Sequence, residues 1–236
     1  MQQRQWRSLG VLHYACARST REPTKENVAA LRTALAAHQS SGAYQQGSLL
    51  MAHLAQALLT AGEVTGAEAA LKEAFAFVEQ SGERYWLAEL HRLDGEIALH
   101  QPEPDPERAE ACFLRAIEIA REQESRMLEL RAGTRLALLW RDISSPNDPR
   151  ALLEPILAAI EGGETTRDVR NARAFLAERS HPHSWTKTLE ARSYGPTRAV
   201  SASMPRHHMA AFLRGSPNSR VLRHSLATGR GPDRRS

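Results

Sequence analysis

Three segments of this chain, NVAALRTA, AEAALKEA and AEACFLRA, carry the same pattern at a nearly constant distance. Each has a small residue or Asn, a large apolar residue four positions later and Ala three after that: Asn27, Leu31, Ala34; Ala67, Leu71, Ala74; Ala109, Phe113, Ala116. The first two are 40 residues apart and the next two 42. A fourth, weaker copy in PRALLEPI places Pro149, Leu153 and Ile156 another 40 residues on. Spacings of three and four put each triplet on one helical stripe, and a period of 40 to 42 over most of a chain is the mark of a repeat architecture. A unit of this kind cannot bury its apolar stripe alone, so it must stack on its neighbours.

Upstream of each triplet lies a second helical segment with a small residue of its own: Gly10 in WRSLGVLHY, Ala55 in MAHLAQALL, Gly95 in LHRLDGEIA and Ala137 in TRLALLWRD. Small residues let two helices approach closely while the large residues of the partner fill the space between them. The segments STREPTKE, TAGEVTG, QPEPDPE and SSPND separate the members of each pair and carry turn residues. Thr65 and Asp105 are expected as helix N-caps, with Pro106 in a first turn. The unit predicted is a helical hairpin, about four in number. DVRNARAFLAE, Asp168 to Glu178, is the expected terminal helix that covers the open end of the stack.

Trp6, Leu9 and Gly10, spaced W-x-x-L-G, resemble the start of a tetratricopeptide repeat, the triplets resemble its second helix, and Gly62 resembles the glycine of its inter-helix turn. More narrowly, GERYWLAELHRLDGEIAL, the stretch from AEACFLRAI to TRLALLWRD, and RALLEPILAAIEGGETTRDVRNARAFL are similar to the C-terminal repeat region of large bacterial signalling proteins, in which an adenylate/guanylate cyclase or DNA-binding domain precedes a signal-transduction ATPase domain. The likeness covers residues 4–178. It implies an all-α fold, an α-solenoid of tetratricopeptide-like hairpins, acting as a noncatalytic protein-protein interaction module in the cytoplasm of a bacterium. Repeats longer than the usual 34 residues, Pro149 at a small-residue position and a glycine-free SSPND turn depart from the pattern and predict a short or irregular last hairpin.

The net charge of +4 hides an asymmetry. From His181 onwards ten Lys and Arg stand against two Asp and Glu, leaving the preceding residues net acidic. Residues 179–236, rich in Ser, Arg, Pro, Gly and His, lack sustained periodicity and read as a disordered basic tail. Such an arm can neutralise phosphates, but its aromatics Trp185, Tyr194 and Phe212 are scattered and no nucleic-acid-binding fold stands behind it. Its composition also resembles a shifted reading frame in GC-rich DNA. No run approaches a spanning helix, and MQQRQWRSLG lacks the apolar core of a secretory signal, so the cytoplasm is the expected compartment.

Glu89, His91, Asp94, Glu96 and His100 are dense enough to raise the question of a metal or acid/base site. At about 100° per residue they cannot converge on one ion, and Trp86, Leu90, Leu93 and Ile97 form the core stripe between them. The expected contacts are a His91–Asp94 hydrogen bond and a surface Glu89–Arg92 pair worth a few tenths of a kcal/mol. Cys16 and Cys112 lack zinc-site spacing, and Cys112 reads as a buried small apolar residue. The tail histidines His181, His183, His207 and His208 have nothing to hold them in ligand geometry. There is no GxxxxGK[ST], no GxGxxG after a strand and no GxSxG elbow, so no catalytic, cofactor-binding or metal residue is assigned and the cyclase and ATPase chemistry does not carry over.

What does carry over is a surface. The first helices of such a stack line one side, and the residues around each small Gly or Ala face it. Here they are Arg92, Glu96 and His100, flanked by Gln56 and Thr60, by Thr134 and Arg141, and by Arg7 and Tyr14. A plain solvated helix side shows the same stripe, so both readings stand. As a partner face it would take a peptide, a helix or a neighbouring domain, possible partners including an ATPase or cyclase domain. The competing readings are a remnant of a cyclase or ATPase-type regulator without its catalytic domains, and nucleic-acid binding through the tail.

Overall fold

In the computed structural model the described residues are 2–40 and 46–178, with side chains from Arg7 onwards. The chain divides into two units, Met1–Arg198 and Ala199–Ser236, and all described residues lie in the first. The predicted tail, with its histidines and aromatics, falls outside the described residues, as does the side chain of Trp6.

Local signals set several helix starts. Asp105 caps α6 by accepting a hydrogen bond from the Arg108 N–H at 3.0 Å, with Pro106 as its first residue. Asp148 caps α8 in the same way from Arg150 at 2.9 Å, again with a proline, Pro149, in the first turn. Proline is tolerated there because the first helical N–H groups have no partner within the helix, and it fixes φ in advance. Thr65 does not cap α4; that helix starts at Val64 after Glu63, which makes no side-chain capping bond. The turn before it closes through Gly62 at φ 80°, a left-handed conformation that costs glycine least.

All described elements are helical: α1 (Gln2–Arg21), α2 (Lys25–Ser40), α3 (Gly47–Thr60), α4 (Val64–Ser81), α5 (Leu87–His100), α6 (Pro106–Glu122), α7 (Arg126–Asp142), α8 (Pro149–Ala158) and α9 (Arg167–Ala177). No helix among them is long and apolar enough to cross a membrane. Each helix packs on the next in sequence, with the smaller contacts at the α2–α3, α4–α5 and α8–α9 joints. The odd-numbered helices also meet one another, α1 with α3, α3 with α5, α5 with α7 and α7 with α9, whereas no even-numbered helix meets another even-numbered one among the described residues. The odd helices therefore form a continuous row. Into it α9 fits as a fifth member, resting on both α7 and α8.

The triplets sit where apolar burial requires. Leu31, Ala67, Ala74, Ala109, Phe113, Ala116 and Leu153 have no exposed surface, Leu71 and Ile156 retain 3%, Asn27 7% and Ala34 8%. Leu12, Leu31, Leu50, Ala55, Leu58 and Leu93 belong to one core cluster; Phe113, Leu130, Leu136, Ala137, Leu153 and Phe175 belong to a second that continues it. Gly95 is the closest-packed point of the third helix pair. A methyl group built there would lie 2.6 Å from Cε1 of the Phe113 ring. In the fourth pair this role falls to Gly133, where an added methyl would meet Ile156 Cδ1 at 2.8 Å, as well as to the fully buried Ala137. In the fourth pair α8 is only 10 residues long and carries Pro155 inside it, whose missing N–H removes one helical bond.

Gly10 breaks the expected pattern. It is exposed, and a methyl group there would meet nothing within 4 Å. α1 instead packs through Leu12, Ala15, Cys16 and Ser19, and leaves Val11 60% and Tyr14 66% exposed. Alanine substitution separates the two glycines. Gly95→Ala is expected to cost about 1–3 kcal/mol through overpacking against Phe113. Gly10→Ala is expected to be neutral or to stabilise by up to about 1 kcal/mol, because alanine is the better helix former. Chemical denaturation of the two variants beside the parent protein checks both signs.

Candidate functional site

The row of odd helices is held by charge at its middle. Arg92, at the second turn of α5, is only 2% exposed, and its guanidinium is fully engaged. Nε and Nη2 donate to Glu89 Oε2 and Oε1, each at 2.9 Å, a two-pronged bond within α5. Nη1 donates to Glu96 Oε1 at 2.9 Å, and Nη2 reaches α3 by donating to Gln56 Oε1 at 2.9 Å. Gln56 in turn donates to the Thr60 hydroxyl at 3.3 Å, which itself donates to the Gln56 carbonyl at 2.8 Å.

Two arginines on α7 extend the chain of charges. Arg135 Nη2 donates to Glu96 Oε2 at 2.6 Å while its Nε lies against Oε1 of the same carboxylate. Arg131 pairs with Glu89 at 3.3 Å and donates to Asp168 Oδ2 on α9 at 2.8 Å. One unbroken set of hydrogen bonds and ion pairs thus runs from α3 through α5 and α7 to α9. Burial by itself would push the Glu89 carboxyl up, but the guanidinium groups of Arg92 and Arg131 outweigh it and hold it below the ordinary carboxylate range. Arg131 is raised against its own burial by Glu89 and Asp168. These groups keep their charges at neutral pH.

Beside this network lies a cavity of about 370 Å³. Thr20 of α1, Leu49, Ala52 and His53 of α3, Trp86 before α5, Thr134 and Leu138 of α7, and Arg167 and Asn171 of α9 line it together with Gln56, Glu89, Arg92, Arg131, Arg135 and Asp168. Five helices or their leading residues contribute to one space.

The structure revises several expectations. Glu89 and Arg92 are not a surface pair: their side chains are 12% and 2% exposed. Arg92 and Glu96 are not an open stripe either, since Glu96 is 3% exposed and both lie inside the row rather than on it. The reason is geometric: residues facing the next first helix are covered when that helix also supplies the counter-charge. His91 and Asp94 do not bond to each other. Asp94 accepts from Arg108 at 2.6 Å and from the Cys112 thiol at 3.3 Å, while the His91 ring packs against Phe75 with centroids 5.1 Å apart. Cys112 is half-buried, and burial together with the Asp94 charge pushes its thiol up to about 12, so it stays protonated. Trp86, half-buried ahead of α5, lines the cavity and also packs against the small core cluster of Ala88, Ile119, Ala120 and Leu128, apart from the cluster that holds Leu90, Leu93 and Ile97.

Of the other face residues, Gln56 and Thr134 line the cavity, and Thr134 is buried with its hydroxyl donating to the Leu130 carbonyl at 2.7 Å. Thr60 is half-buried. His100 is exposed, its Nδ1–H donating to the Glu96 carbonyl at 2.8 Å. Arg141 lies over the Phe175 ring at 5.3 Å and pairs with Asp142, outside the cavity lining. Arg7 and Tyr14 are exposed on α1. Sequence reasoning missed Arg131, Arg135 and Asp168. The available signal was periodic: Gln56 and Arg92 are separated by 36 residues, Glu96 and Arg135 by 39, and Arg131 and Asp168 by 37, all close to the repeat. Among the described residues no three His, Cys, Asp or Glu side chains gather in a metal-ligating group.

The lowered Glu89 carboxyl gives the network a pH signature. Its ionised form contributes stability above the ordinary value of 4.5, and this is lost as pH falls through the lowered value. Glu89→Gln keeps the shape, removes the charge and leaves Arg92 undercompensated. At neutral pH it is expected to be about 3 kcal/mol less stable than the parent. It should also lose less stability than the parent when pH is lowered from about 5 to about 3. Urea titrations at both pH values measure the two differences.

No protein-family model, curated protein or solved structure matches this chain, so its function is argued from the row of odd helices and the charges that hold it.

Proposed function

We propose that residues 4–178 form an α-solenoid of tetratricopeptide-like helical hairpins, and that this is a noncatalytic interaction and regulatory module of a bacterial signalling protein. The observation that carries the reading is the packing order. From α1 to α7 each odd helix meets its own following helix and the next odd helix, while among the described residues no two even helices meet, as a stack of like hairpins requires. A row of first helices offers a partner an extended face assembled from several units, the surface that repeat proteins use for binding. On it Tyr14, Thr60 and His100 supply exposed or half-exposed aromatic and polar groups, while the Arg92–Glu96 pair fixes the helices behind them. The partner is a peptide, helix or neighbouring domain, with a signal-transduction ATPase or cyclase domain as the first candidate.

The test uses the full chain, titrated against purified cyclase and signal-transduction ATPase domains cloned from the same genome, with binding read by interferometry. Saturable binding is expected. Tyr14→Ala or His100→Glu should weaken it about tenfold or more, as loss of a central contact does. Lys72→Glu, on the exposed side of α4, should leave it unchanged. Loss of binding with Lys72→Glu alone, or no binding to any of these domains, overturns the proposed face and partner class.

A further inference from the structure

The two ends of the row of odd helices are finished differently. α9 closes its end with Val169, Ala172 and Phe175 buried and polar groups such as Arg170 and Arg173 outward. α1 packs on α2 and α3 and, among the described residues, on no other helix. Its core side is Leu12, Ala15, Cys16 and Ser19. At about 100° per residue the side away from them carries Arg7, Val11, Tyr14, Arg18 and Arg21, all exposed. Val11 and Tyr14 are two of the three large apolar side chains that stand exposed among the described residues. The five residues recur at alternating spacings of four and three, the spacing with which one helix meets another along a heptad seam. Gly10 and Ala17 lie beside them and are exposed too. On α5 the corresponding glycine, Gly95, receives the Phe113 ring, whereas a methyl built at Gly10 meets nothing within 4 Å. The face is apolar at its centre and cationic at both ends. α1 contains no acidic residue, not even in the first turn where the helix dipole favours one. Arg7, Arg18 and Arg21 have no carboxylate partner among the described residues.

We propose that this face of α1 is the docking site for an acidic amphipathic helix. The helix packs along α1 with a short apolar centre against Val11 and Tyr14, and its carboxylates lie over Arg7 at one end and over Arg18 and Arg21 at the other. Arginine takes carboxylates in two-pronged bonds, and Gly10 and Ala17 let the partner's backbone come close. Charge selects the occupant. A second α1 would bring Arg7 opposite Arg21 in an antiparallel pair and opposite Arg7 in a parallel one, so self-pairing is repulsive. The exposed sides of α4 and α6 mix signs, with Lys72 beside Glu73 and Arg115 paired to Glu118, so a second copy offers no acidic stripe there. The residues from His181 onwards, with ten Lys and Arg against two Asp and Glu, repel the face as well. A membrane surface would gain only two apolar side chains and nothing from Gly10 and Ala17, too little to hold a helix in the interface. The assignment shares Tyr14 with the proposed partner face but stands without it.

The probe is a synthetic helical peptide three heptads long, with leucine at the a and d positions of its middle heptad and glutamate at those of the outer two. It is titrated into the full chain by interferometry, beside one control with lysine for glutamate and another with alanine for leucine. Saturable 1:1 binding of the acidic peptide is expected, and each control should bind at least tenfold more weakly. Val11→Ser and Gly10→Leu should each weaken the acidic peptide about tenfold or more. Both positions face solvent, so the melting temperature of the free protein should stay within a few degrees. The double variant Arg7→Glu with Arg18→Glu should transfer the preference to the lysine peptide. His100→Glu, on α5, should leave binding of the acidic peptide unchanged, which separates failure of this site from failure of the proposed partner face. No saturation up to about 1 mM peptide overturns the proposal. So does equal binding of the alanine control, which would mark charge attraction alone, or tighter binding to vesicles containing phosphatidylserine. Self-association of the free chain that Val11→Ser abolishes would assign the face to a second copy and overturn it too.

Discussion

A guanidinium that is 2% exposed has to be answered on every side, and the arrangement of the odd helices follows from how Arg92 is answered. Taking an arginine out of water costs several kcal/mol, and only charged or well-aligned acceptors recover it. Glu89 and Glu96 provide these from the same helix, one turn to either side, so α5 carries a nearly self-sufficient pair of bridges. Gln56 closes the remaining direction from α3 at 2.9 Å. Glu89 and Glu96 each have further lone pairs to satisfy, and these are met from α7 by Arg131 and Arg135. Each charge therefore creates a requirement on the next helix. Hydrophobic contact would let adjacent helices slide by a turn at modest cost; fixed donors and acceptors do not. The ion network is weak evidence for net stability, since a well-packed apolar replacement can do as well. Its role here is to set register.

The asymmetry between the two rows has the same origin. Even helices bury one stripe, against the odd helices of their own and the next unit, and present the remainder to solvent as Lys72, Glu73, Arg115 and Glu118 do. Odd helices bury on two sides and must then accommodate the polar positions that fall between those sides. The solution is to pair them with one another. α9 ends the row in both respects: Val169, Ala172 and Phe175 enter the second core cluster, while Asp168 answers Arg131. The cation of Arg141 over the Phe175 ring and the Arg150 bond to the Leu176 carbonyl at 2.6 Å hold the last helix from the α7 and α8 sides.

How much of this could be read in the sequence depends on which force acts at each position. The triplets were legible because apolar burial is local in its signature: a small residue, Phe113 or Leu four on, and Ala three later define a stripe whatever the neighbour is. Gly95 was legible for the same reason, and Asp105 and Pro106 because a cap is decided within four residues. Gly10 was not, because closeness needs a large side chain opposite it, and the residue matched a motif while facing solvent. The register of α7 was set by Ala137 and so pointed to Thr134 and Arg141, whereas the partners of Glu89 and Glu96 are Arg131 and Arg135. Shifting a helix by three residues moves it nearly one turn, which leaves its apolar stripe in place and gives no warning. Only the charges, recurring at 36, 39 and 37 residues, distinguish the two registers. Reading polar periodicity with the same care as apolar periodicity would have found them.

The same charges explain why a cavity survives in the middle of the row. Leu49, Ala52 and Leu138 could close over an apolar gap by small side-chain shifts, but Arg131 and Arg135 cannot follow without breaking bonds to Glu89, Glu96 and Asp168. A guanidinium is planar and rigid; Arg131 is held between Glu89 and Asp168, and Arg135 by both oxygens of Glu96. The walls are therefore kept apart by the bonds that hold the helices together. Such a space is costly for a protein whose interior otherwise packs to methyl-group tolerance, as at Gly95, where an added methyl would lie only 2.6 Å from the Phe113 ring. The rigid polar frame is thus a consequence of the register it imposes on α3, α5, α7 and α9.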